Sequence, residues 1–289
     1  MSGKSVFPQP VPDMSLDSGS SLYLVLDGSQ ISELEKKLYS LLGNPEFEPI
    51  YLYQPWDQIS EVTPCVVKTS EKLIDWFFSD CIVNQGYFIA SSASCEQIAD
   101  SMRALIQVKS PYGSDVFFKM AHAEASWILF DDEHPLIWKH IEAVWIPTRL
   151  GWKHRVSPQK PVPEKVKYIE LNSEQWKKLG EISWRNTLDK IQKYVIKWFY
   201  TQLPNPSYEW LNDQATLAYN KGFSSERDLM LYFSILGFLG ANALDKNLYP
   251  DIQELVDKSS LLTPSQRIEE AAELAEHHAK YRNLQERNL

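Results

Sequence analysis

Asp27 ends the apolar run 22–26 (LYLVL), a position in which many α/β folds carry the acidic group of a site, and with a histidine it would form an acid–base couple suited to hydrolysis. An aspartate followed by glycine is also what a turn or a helix cap demands. The other chemistry-bearing groups resolve more simply. Asp17, Ser18 and Gly19 spell an aspartic-protease tripeptide, but only once, and that chemistry needs two rigid carboxylates. Asp131, Asp132, Glu133 and His134 are metal-ligating types in consecutive positions, whose side chains point apart; with Pro135 next, they read as a solvated loop. His277 and His278 are helix neighbours facing different directions, and neither His122 with Glu124 nor isolated His154 completes a ligand set. Cys65, Cys81 and Cys95 form no CxxC pair, so neither a zinc site nor a disulfide framework is expected. GxSxG, HExxH, Walker and GxGxxG patterns are absent. The expectation is a non-catalytic protein without metal or cofactor.

A formal net charge of −9 argues against a nucleic-acid partner, because that affinity rests on clustered Lys and Arg; Trp152, Lys153, His154 and Arg155 make a single aromatic–basic cluster with no repeat. Ten tryptophans supply both core and interface anchors, so a basic or apolar protein partner fits better. No run of 18 apolar residues and no apolar stretch near the N-terminus occurs, so neither a membrane span nor a signal peptide is expected, and the cytoplasm is the expected compartment.

Elements able to position these residues alternate between strand and helix over the first half. Residues 1–20, rich in Pro, Ser and Asp, read as a flexible leader. Strands are expected at 22–26, 49–53, 65–69, 86–91 and 115–120, with a further one at 143–146. Ser29 is positioned to cap a helix carrying Ile31, Leu34 and Leu38, a short aromatic helix spans 73–78, and Ser94 with Gln97 matches a capping box. Residues 110–113 (SPYG) form a turn. The implied lobe, 21–156, is a mixed sheet of about five strands covered by helices.

Three prolines at 157–163 (SPQKPVP) place a linker at 157–166. Residues 167–289 then read as helices, giving an α+β chain with an all-helical second lobe. Asn172 with Gln175 caps the first helix, 208–220 forms another, Ser224 opens a third, and Thr263, Pro264 and Gln266 start the last. Residues 229–239 are nearly all apolar, so that helix is central or covered by a partner. Trp184, Trp198, Phe223, Leu229, Phe233 and Phe238 are candidate walls of a groove for an amphipathic segment.

Ordered segments of the chain resemble the type VI secretion effector chaperones or adaptors (Tap, also called TEC proteins), which carry domain of unknown function 4123. The segments are YLVLDG (23–28), PIYLY (49–53), TPCVV (63–67), GYFIAS (86–91), MRALIQVK (102–109) and PYGSDVFFK (111–119), then GFSSERD (222–228), LGFLGA (236–241) and LTPSQRI (262–268). Asp27, Gly28, Tyr53, Ser91, Gly113 and Lys119 occupy the motif positions. One departure stands out: where the family tends to carry an arginine and a Tyr-Asp-Pro-like turn, this chain has Lys119, Met120, Ala121 and His122. The resemblance implies an adaptor that binds a secreted effector, commonly through its N-terminal region, and brings it to the spike protein VgrG. A hydrolase using Asp27 and a histidine, or an immunity protein that neutralises a toxin, are the alternatives.

Overall fold

The computed structural model describes residues 7–158, 168–244, 248–258 and 260–286. It divides into two compact units, Met1–Ile182 and Ser183–Leu289.

The first unit is built on a six-stranded sheet of β1 (Ser21–Leu26), β2 (Phe47–Pro49), β3 (Cys65–Lys68), β4 (Gly86–Ser91), β7 (Ala143–Thr148) and β8 (Gly151–Val156), in the order β2-β3-β1-β4-β7-β8. Every ladder in it is antiparallel, which corrects the expected mixed sheet, while the α+β class is as expected. β5 (Gln107–Lys109) and β6 (Asp115–Phe117) form a separate hairpin around the 110–113 turn, where Gly113 takes the positive φ that the turn requires.

Helices cover both faces, and the strand residues divide between them with period two. Tyr23 and Val25, Tyr87 and Ile89, and Val144 and Ile146 face α3 (Cys95–Arg103) and α4 (Ala123–Phe130), meeting Ile98, Met102 and Leu129. Leu24 and Leu26, Phe88, and Ala143 and Trp145 face α1 (Leu34–Leu42) and α2 (Glu71–Asp80), meeting Leu38, Leu73 and Phe77. Burial on both sides is why the strands read as continuous apolar runs. The same burial hides α4 in the sequence: nearly all of AEASWILF is inside, so no polar stripe marks a helix.

Several boundaries differ from expectation for local reasons. α1 begins at Leu34, five residues beyond Ser29, which belongs instead to the preceding turn, where its amide and hydroxyl both donate to Asp27 Oδ1, at 2.9 and 2.7 Å. The second strand ends at Pro49, since the Tyr51 amide goes to the Thr63 hydroxyl at 2.8 Å; a 3-10 segment, Trp56–Val62, follows. The leader is anchored: Phe7 is 2% exposed, 4.9 Å from the Phe77 ring, and the Trp152 indole donates to the Pro8 carbonyl at 2.9 Å. The Ser94–Gln97 capping box forms as expected.

Residues 159–167, most of the proline-rich stretch, lie outside those described. Beyond them Ile169 and Leu171 are buried in the first unit's core, and their backbones bracket Lys109 at 2.7 and 2.8 Å. Trp176 and Leu179 of α5 (Ser173–Phe199) pack on that same core, so the division falls inside α5 and later than the expected linker. Asn172 and Gln175 cap α5 reciprocally at 2.9 Å.

The second unit contains the remainder of α5, α6 (Tyr208–Asn220), α7 (Glu226–Leu239), α8 (Pro250–Asp257) and α9 (Pro264–Glu286). Ser225, rather than Ser224, caps α7, accepting the Asp228 amide at 3.1 Å. α7 is the central helix, buried around most of its circumference. A Cβ on its Gly237 would fall inside the Phe199 ring, so this glycine admits the aromatic.

Candidate functional site

Asp27 sits where β1 gives way to a turn, 3% exposed, with Oδ1 holding Ser29 and Oδ2 buried without a hydrogen-bond partner. Its field reaches His122 and Tyr51, both buried. His122 caps α4 by accepting the Ala125 amide on Nδ1 at 3.3 Å. Burial pulls its pKa below the ordinary histidine value, with Asp27 and Glu124 opposing. Burial likewise pushes the Tyr51 hydroxyl far up, seconded by Asp27. The acid and the histidine of the hydrolase alternative are therefore neighbours in charge, but they are 3% and 5% exposed and line neither described cleft.

Gly28, next to Asp27, approaches the Thr63 backbone so closely that a Cβ would fall inside its carbonyl oxygen. Ser91 is buried, donating to the His140 carbonyl at 2.6 Å and accepting the Ala93 amide at 3.0 Å. Tyr53 is 61% exposed beneath the Arg103 guanidinium, 5.0 Å from its ring. Lys119 is exposed. The motif positions thus divide into backbone-fitting residues and surface ones.

The acidic stretch is a structural loop. Asp131 and Glu133 reach Arg155 at 3.1 and 3.4 Å, and Asp132 holds the His134 amide at 3.0 Å and the Gln175 side chain at 3.1 Å. His278 meets Asp251 at 3.0 Å while His277 lies against Tyr281, so the two diverge. Among the described residues no three His, Cys, Asp or Glu side chains form a group able to hold a metal ion. All three thiols are buried, and burial pushes Cys81 to about 12 and Cys95 to about 11, which leaves them unreactive at neutral pH.

The groove candidates separate sharply. Phe223, Leu229 and Phe233 are fully buried at the centre of the second unit and hold its core rather than line an open groove. Trp184 and Phe238 are partly buried against that core, Trp184 donating to Asn212 at 2.9 Å. Trp198 alone projects, 62% exposed, with Lys197 4.8 Å from its ring.

A surface that sequence reasoning missed lies in the first unit. Leu52, Tyr53, Ile59, Val62 and Phe117 are all exposed apolar side chains, and Trp56 meets Phe117 at 5.2 Å. Trp56, Ile59 and Val62 lie in a segment of two short 3-10 turns that kinks at Ile59 and buries none of its residues. A cleft of about 580 Å³ opens between α1 and α2, lined by Ile31, Lys37, Leu41, Lys72 and Trp76. Gln30, Ser32, Asp80 and Cys81 line it too, so the cleft mixes polar with apolar side chains, while the surface around Trp56 and Phe117 offers apolar and aromatic contact.

The family model described as "Domain of unknown function (DUF4123)" matches residues 22–133. Accessory protein VasW of Vibrio cholerae serotype O1 (strain ATCC 39315 / El Tor Inaba N16961) is 44% identical over 277 residues, covering 93% of this chain and 92% of its own. No solved structure matches the chain. The DUF4123 match covers most of β1 through α4 and stops before β7, the relative extends through the second unit, and the chain accordingly belongs to the DUF4123 family that its sequence motifs resemble.

Proposed function

We propose that this chain is an accessory protein of the type VI secretion system, an adaptor that binds a secreted effector in the cytoplasm and brings it to VgrG. The observation carrying this reading is the 44% identity to a protein named as an accessory protein, sustained across 93% of the chain and hence across both units. Two features of the molecule support it. Exposed apolar side chains cluster around Tyr53 and Phe117 and again at Trp198, the residue types that anchor protein interfaces. Asp27 and His122, the acid and histidine of the hydrolase alternative, are buried away from solvent, whereas a general base must come within hydrogen-bond reach of the proton it removes. No described helix is long and apolar enough to cross a membrane, which fits a protein that meets its effector before export.

Deleting the gene in the producing cell tests the reading. Effector export should fall at least about tenfold, with effector synthesis and survival of the producer unchanged. Normal export, or death of the producer through self-intoxication, would remove the adaptor reading, and the second outcome would establish an immunity protein in its place.

A further inference from the structure

The sheet of the first unit has unequal edges. β2 is three residues long and ends in Pro49, so it presents little to pair with. β8 is six residues long, and among the described residues no strand pairs with its outer side. Its register on β7 fixes which backbone groups face outward. The Ser157 amide donates to the Glu142 carbonyl at 2.6 Å, so the Ala143↔Val156, Trp145↔His154 and Pro147↔Trp152 pairs are the non-hydrogen-bonded ones. Pro147, which has no amide proton, fits that assignment. Trp152, His154 and Val156 therefore direct their N–H and C=O groups away from β7, while Lys153 and Arg155 spend theirs on it.

Side chains alternate with the same period. Lys153 and Arg155 emerge on the face of Val144 and Ile146; Lys153 is exposed, and Arg155 is already held by Asp131 and Glu133. On the opposite face His154 stacks on Trp145 at 5.0 Å, Val156 is 57% exposed, and Trp152 packs with Phe7 and Phe78.

We propose that the outer edge of β8 is a docking site for an extended partner segment that alternates acidic and apolar residues, adding a seventh strand to the sheet. The backbone groups of Trp152, His154 and Val156 supply the hydrogen bonds, an acidic residue of the segment lies beside Lys153, and its apolar residues lie beside His154 and Val156. A second copy of this chain fits poorly, because edge-to-edge pairing would set Lys153 and Arg155 against their own kind. The proposal rests on the adaptor reading and adds the surface used.

Amide hydrogen exchange on the full chain tests it, with a capped hexapeptide of alternating Glu and Val as probe. In the free protein the Trp152, His154 and Val156 amides should exchange fast and those of Lys153 and Arg155 slowly. With about 1 mM peptide the three fast amides should slow at least about tenfold. His154→Pro removes an outward amide and no β7 bond, and should abolish the effect; Lys153→Glu, which leaves the backbone untouched, should weaken peptide binding about fivefold, as should replacing Glu by Lys in the peptide. Protection of all three amides before peptide is added, a concentration-dependent dimer that protects them, or no change on adding peptide would each overturn the proposal. Effector that still co-purifies with folded His154→Pro protein would overturn the edge as its docking site and leave the adaptor reading standing.

Discussion

The guanidinium of Arg267 lies 5.2 Å from the ring of Phe223 and donates to the carbonyls of Leu255, Lys258 and Lys221. These two residues belong to family segments about forty positions apart, GFSSERD and LTPSQRI, which meet here. Ser265 also donates to Asp228 at 3.1 Å, and Pro264 lies 3.3 Å from where a Gly222 Cβ would stand. The segments of the second unit that carry the resemblance thus clasp the ends of its helices.

Truncating that clasp should cost stability without touching the surface. Arg267 is 6% exposed, and Arg267→Ala removes the donor shared by three partly buried carbonyls, so a loss of about 1–3 kcal/mol is expected in urea unfolding. Arg267→Lys should recover only part of it, since an ammonium cannot span the same fork of acceptors.

Burial also decides which groove candidates can test binding. Phe233→Ala should destabilise the protein by about 3–5 kcal/mol, and Phe233→Asp should unfold the second unit, because the side chain is fully buried. Trp198→Asp, at a residue 62% exposed, should stay within about 0.5 kcal/mol of the parent, so any loss of effector binding in it reports on the interface.

Close backbone approach makes Gly28 and Gly237 intolerant. Alanine at Gly28 meets the Thr63 carbonyl and at Gly237 the Phe199 ring, and each change should lower stability by about 1–3 kcal/mol. Thermal unfolding of the two variants measures this, and unchanged midpoints would refute the packing described.

Acid should weaken the first unit through His122. Its folded pKa lies below the unfolded value, so between about pH 6.5 and that lower value the unfolded chain binds a proton that the folded chain does not. Stability is therefore complete above about pH 6.5 and declines as pH falls through this window. His122→Asn keeps an acceptor for the Ala125 amide and should flatten the slope of urea midpoint against pH between about 6.5 and 5.5.

Much of this was legible from residue order. β4, α6, the Ser94 and Asn172 caps and the Thr263–Gln266 start are set by local chemistry and stand where pattern and capping place them. What escaped depends on long-range contact. α4 shows no stripe because both its sides are buried, and β8 carries GWKHRV, in which charge and an edge position mask the alternation. The site was harder still: apolar residues at helical spacing read alike whether they face a core, as Phe233 does, or solvent, as Trp198 does, and only the packed chain separates the two.

The adaptor claim is tested most directly by purifying the chain from its own producing cells and measuring whether its effector comes with it in stoichiometric amount, then repeating the export assay without the chain. The account predicts a complex that forms before export and an effector left behind when the chain is missing. An effector that never associates with the chain and leaves the cell at its normal rate without it would contradict the account.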